Sequence, residues 1–133
     1  MGNEQEKKCQ YNCSSGTKLI FACSGAANVG AIADQAAREM TRRGTGKMFC
    51  MAGIGGRVSG IIKTTEAADR ILVIDGCPLD CVRHSLNNAG FTDYEHLRVT
   101  DCGMEKGKTP VTGENINIVA SKASEILKHT PPR

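Results

Sequence analysis

The stretch DGCPLDC, residues 75–81, sets two cysteines four positions apart with a proline between them. Thiolates do two kinds of chemistry in proteins. They ligate soft or borderline metal ions, and they attack disulfides and other electrophiles. Cys77 and Cys81 have company: Cys23, Cys50 and Cys102 are spread along the chain, and Cys9 and Cys13 sit near its start. Seven cysteines in 133 residues is an odd number, and no apolar signal segment precedes them. Clustered thiols without an export signal are metal ligands or redox groups more often than structural disulfides.

The elements that would position these thiols follow from hydrophobic pattern. Residues 17–23, TKLIFAC, read as a buried strand, 46–53 as a short second strand and 71–75 as a third. Residues 95–102 read as a weaker fourth. Val29, Ile32, Ala33, Ala36, Ala37 and Met40 recur at helical spacing, and Gly44 stops that helix. Val58, Ile61 and Ile62 are the inward residues expected of the next helix. Leu79, Val82, Leu86 and Ala89 share one face of another. Ile116, Val119, Ala120, Ala123, Ile126 and Leu127 form the clearest stripe, so 114–128 is a helix. The alternation predicts an α/β fold: a small open parallel sheet of about four strands with helices on both faces, Rossmann-like or flavodoxin-like. The expected domain spans 17–129, between an N-terminal tail over 1–16 and a C-terminal tail over 130–133.

On this map Cys23, Cys50, Cys77, Cys81 and Cys102 all fall at C-terminal strand ends, the edge where open parallel sheets bind ligands. Pro78 suits a first helical position, which would put Cys77 near the N-cap and Cys81 one turn in, on the same face. Asp80 is a candidate cap, and Ser24 and Asn28 read as caps of the first helix. Four thiolates suit a tetrahedral zinc ion. Zinc is the expected ion; the alternative is a thiol–disulfide redox or iron–sulfur protein using the same cysteines, and ligand softness does not separate zinc from iron. A Cys₄ zinc site carries two negative charges, which Lys106 and Lys108 would offset if their loop folds over the edge.

The motifs CSGAANVG, CMAGIGG and DGCPLDC, in that order, resemble the DGC-domain family, small proteins named for their Asp-Gly-Cys motif. The family is described as zinc-binding on account of four cysteines. The resemblance implies Cys23, Cys50, Cys77 and Cys81 as the metal set. Cys102 matches no part of the pattern and is a candidate fifth ligand only through its place after the fourth strand. No reaction comes with it, and no catalytic residue is assigned.

Other functions find less support. CPLDCVR has the bare Cys-x₅-Arg spacing of a phosphatase loop, but Pro and Asp replace the small residues such a loop needs. GIGGRV matches only two glycines of a dinucleotide loop and follows the second strand, not the first. The histidines His84, His96 and His129 read as surface residues. A net charge of +3 without aromatic-studded basic stripes excludes nucleic acid as the expected partner. No apolar run is long enough to span a membrane, and the expected location is cytoplasmic.

Overall fold

The computed structural model describes residues 16–133. Cys9 and Cys13 lie outside the described residues. The strands are β1 (Lys18–Ala22), β2 (Lys47–Met48), β3 (Arg70–Asp75) and β4 (Glu95–Arg98). The helices are α1 (Asn28–Arg43), α2 (Met51–Gly55), α3 (Ser59–Glu66), α4 (Cys81–Asn88) and α5 (Gly113–Lys128). A 3₁₀ turn, Val99–Cys102, follows β4. All strand pairs are parallel, in the order β2-β1-β3-β4. This is the expected α/β architecture.

The strand period of two sorts the core into two layers. Ile20, Ala22, Leu72 and Ile74 face one way and pack with the stripes of α1 and α5. Leu19, Phe21, Ile71 and Val73 face the other way, against Ile54, Val82 and Leu86 from α2 and α4. Both faces are therefore dry, which is why β1 and β3 read as unbroken apolar runs. Each fully buried Ile, Leu or Phe contributes about 1.5–3 kcal/mol. Helix α1 ends at Gly44, whose φ of 76° takes the left-handed cap. Thr112 caps α5 by accepting the Asn115 amide through its hydroxyl.

Several boundaries differ from the sequence pattern, each for a local reason. Strand β2 pairs over two residues only. One further bond, Phe49 N–H to the Ile20 carbonyl, continues its ladder before the chain turns into α2. Cys50 is thus an exposed N-cap and not a strand residue. Strand β4 gives way at Val99 to the 3₁₀ turn, where the Thr100 amide donates to the Gly76 carbonyl. Val58, expected inside, is 53% exposed, while Ile61 and Ile62 do pack against the second layer. The last residue is tethered: the Arg133 guanidinium donates to the Thr65 and Ala68 carbonyls. Among the described residues no helix is long and apolar enough to cross a membrane.

The chain leaves β1 toward β2 on one side and returns to β3 on the other. The reversal point, where such folds bind ligands, therefore lies between the C-terminal ends of β1 and β3. Cys23 follows the first of these ends and Cys77 the second.

Candidate metal centre

Each residue of the Asp-Gly-Cys motif has a separate physical job. Asp75 ends β3 and is 1% exposed. Its Oδ1 accepts the Val82 amide at 2.9 Å, and its Oδ2 accepts the Arg83 amide at 3.3 Å. A strand-end carboxylate therefore caps α4, satisfying donors that a helix start leaves open. Gly76 passes the backbone of α1 so closely that an added Cβ would lie 2.8 Å from the Gly30 nitrogen and 2.9 Å from the Val29 carbonyl carbon. Only glycine fits there. Cys77 then emerges at the sheet edge, half-buried.

The segment after Cys77 is a turn, not the first turn of a helix. The Asp80 amide donates to the Cys77 carbonyl, and Asp80 adopts φ 52°, ψ 44°. Helix α4 starts at Cys81. Pro78 is therefore not a first helical residue, and Cys77 and Cys81 do not share a helix face. Cys81 is exposed. Asp80 occupies the N-cap position without capping through its side chain, because Asp75 does that work. Its carboxylate is instead gripped by Arg98, at 2.7 Å from Nε and 2.6 Å from Nη2. That pair holds the Asp80 carboxyl below the usual carboxylate range, although burial opposes it, and raises the Arg98 guanidinium in turn.

His96 completes this network. Its Nε2 lies 2.8 Å from Asp75 Oδ2 and 3.5 Å from Asp80 Oδ1. It is a half-buried bridge and not the surface residue expected. Among the described residues, Asp75, Asp80 and His96 form the one group of three side chains whose ligand atoms lie within 4.8 Å of one another. Such oxygens and a nitrogen are a donor set for a hard or borderline ion. In this structure both oxygens of each carboxylate already accept from amides, His96 or Arg98. As it stands the cluster is a hydrogen-bonded network that uses these oxygens within the protein.

The cysteines are placed differently. Cys23 is half-buried and touches both core layers. Its Sγ accepts the Gly25 amide at 3.3 Å. Gly30 leaves room for it, since a Cβ there would stand 3.2 Å from the sulfur. Cys50 Sγ accepts the Gly53 amide at 3.3 Å. Cys77 Sγ accepts from Lys106 Nζ at 3.6 Å. Cys102 is the exception. Its thiol donates to the Arg98 carbonyl at 3.6 Å, and burial pushes it up, with Lys122 opposing.

The basic loop does cross the edge, and Asn28 is what holds it. Asn28 is the first residue of α1 and not a cap. Its Nδ2 donates to the Glu105 and Thr109 carbonyls at 3.0 and 2.7 Å, and its Oδ1 accepts the Gly107 amide at 2.6 Å. One carboxamide thus clamps residues 105–109 and sets Lys106 against Cys77. Lys108 pairs with Glu105 instead.

Cys23, Cys77 and Cys102 all pack against the layer shared with α1 and α5, Cys23 touching the other layer as well, while Cys50 and Cys81 are exposed. No three of the described cysteine sulfurs lie mutually within 4.8 Å. The sequence brought out the thiols but missed the Asp75–His96–Asp80–Arg98 network. The acid that ends β3 carries a signal of its own, but its histidine partner is visible only once β4 is placed beside β3.

A protein-family model described as the DGC domain matches residues 19–123. The anaerobic and virulence modulator AnvM of Pseudomonas aeruginosa is 35% identical over 88 residues, covering 66% of this chain and 67% of that protein. No solved structure matches. The matched domain points to a metal-binding role, and this chain belongs to the DGC-domain family.

Proposed function

We propose that this chain binds zinc through the thiolates of Cys23, Cys50, Cys77 and Cys81 at the C-terminal edge of the sheet. One observation carries the reading: N–H donors are aimed at three of these four sulfurs, from Gly25, Gly53 and Lys106. Donors of this kind stabilise sulfur in its anionic, ligating state. Cys102 acts as a donor, the behaviour of a neutral thiol, and stands outside the set. The donor chemistry suits zinc, which takes sulfur ligands at about 2.3 Å. The sulfurs are not gathered to that spacing here, so binding draws together the loop after β1, the Cys50 cap and the turn over 77–81. The ion would supply two positive charges, and Lys106 would compensate the excess negative charge of four thiolates.

Elemental analysis of protein purified without oxygen tests this. Zinc near one per chain is expected, falling several-fold in Cys77→Ser and in Cys81→Ser and unchanged in Cys9→Ser. Zinc that survives both substitutions overturns the ligand assignment. A second reading, a thiol redox or iron–sulfur protein, draws support from the exposure of Cys50 and Cys81. It also draws on the similarity to AnvM, named as an anaerobic and virulence modulator. Iron with acid-labile sulfide, or a metal-free chain with a reversible disulfide, would establish it instead.

A further inference from the structure

Strand β2 is the sheet edge and only two residues long, so among the described residues no further strand lies beyond it on the flank of α1. The gap is a cleft of about 670 Å³. That volume suits a small molecule. One wall is a helical stripe, Asp34, Arg38 and Arg42, each one turn apart. The opposite wall is the segment from Met48 to Ala52, which includes the exposed Cys50. Arg38 holds Asp34 through Nε at 3.0 Å, and Arg42 holds Glu39. Both guanidiniums are more than half exposed, so these pairs are weak and can be shared with a competing anion. Within the lining, two guanidiniums face one carboxylate. Guanidinium forks recognise carboxylates, and an exposed thiol recognises sulfur.

We propose that this cleft binds a small carboxylate-bearing thiol or its disulfide, with the carboxylate on Arg38 and Arg42 and the sulfur at Cys50. The inference concerns the zinc-free chain, in which the Cys50 sulfur is accessible, because that sulfur cannot ligate zinc and form a mixed disulfide at once. With a disulfide ligand, the Cys50 thiolate attacks one ligand sulfur. The Cys50–sulfur bond forms, the ligand S–S bond breaks, and the second half departs as a thiolate with the electron pair. Cys50 is oxidised and the departing sulfur reduced.

The test uses the full chain after chelator treatment and three probes: glutathione disulfide, cystamine and 2-hydroxyethyl disulfide. Peptide mass spectrometry reads mixed disulfide at Cys50 and at Cys81, which is exposed but outside the cleft. Their ratio cancels the intrinsic reactivity of each probe. The Cys50-to-Cys81 ratio is expected to be about tenfold higher for glutathione disulfide than for cystamine, as one charge-assisted contact predicts. The double variant Arg38→Gln, Arg42→Gln should abolish that preference while leaving the circular dichroism spectrum intact. Equal ratios for all three probes, or a preference that survives the double variant, would overturn the proposal. Zinc content of the same variant, measured separately, reports on the metal reading alone.

Discussion

Gly76→Ala isolates the close backbone approach at the candidate site. The added methyl would meet three backbone atoms of α1, at 2.8, 2.9 and 3.0 Å. Backbone cannot rotate away as a side chain can, so either the end of β3 or the start of α1 must move by several tenths of an ångström. Overpacking of this kind costs about 1–3 kcal/mol, and contacts with backbone belong at the upper end. At roughly 4 °C per kcal/mol for a domain of this size, Tm should fall by about 10 °C. The control is Gly55→Ala, where a Cβ meets nothing within 4 Å. There the same change should raise Tm by about 2–4 °C, because alanine loses less backbone freedom on folding. Thermal unfolding followed by circular dichroism reads both. A Gly76→Ala protein melting within about 2 °C of the parent would refute the close approach of β3 to α1. A Gly55→Ala protein equally damaged would show that glycine loss as such, and not contact, is the cause.

Three further expectations follow from the network and the clamp. Asp80 has its folded pKa depressed by Arg98, so its stabilising contribution is present above the unfolded carboxylate range and lost as pH falls through the folded value. Arg98→Gln should therefore lower Tm at pH 7, with the gap to the parent closing toward pH 3; a gap independent of pH would contradict the pairing. Burial raises the Cys102 thiol, so iodoacetamide at pH 7.5 should label it at least about tenfold more slowly than Cys50 or Cys81, measured peptide by peptide. Asn28→Ala removes three hydrogen bonds from the loop over 105–109 and should cost about 1–2 kcal/mol, with faster hydrogen exchange at the Gly107 amide. Unchanged exchange there would mean that the clamp does not hold the loop.

The parts of the fold legible in the sequence are those with a strong repeat. The Val29-to-Met40 and Ile116-to-Leu127 stripes bury one helix face each, and β1 and β3 are dry on both sides, so pattern and structure coincide. The second strand reads too long, through residue 53, because an apolar run does not reveal that pairing stops after Met48; Cys50 still falls at that strand's C-terminal end. The turn after Cys77 was hidden for a different reason. Pro78 favours a helix start, but the cap comes from Asp75 at the end of the preceding strand and Asp80 turns left-handed to reach Arg98. His96 looked like a surface residue because its partner is 21 positions away and meets it only through the β3–β4 pairing. Among the candidate ligands, chain order shows which strand end each thiol follows. How close the sulfurs come depends on loop conformations that no periodicity encodes.

Zinc K-edge X-ray absorption on the protein as purified without oxygen tests the central proposal most directly. Four-cysteine ligation gives a first shell of sulfur alone, four scatterers at about 2.3 Å. A shell dominated by nitrogen and oxygen near 2.0–2.1 Å would move the ion to Asp75, Asp80 and His96 and contradict the four-cysteine site.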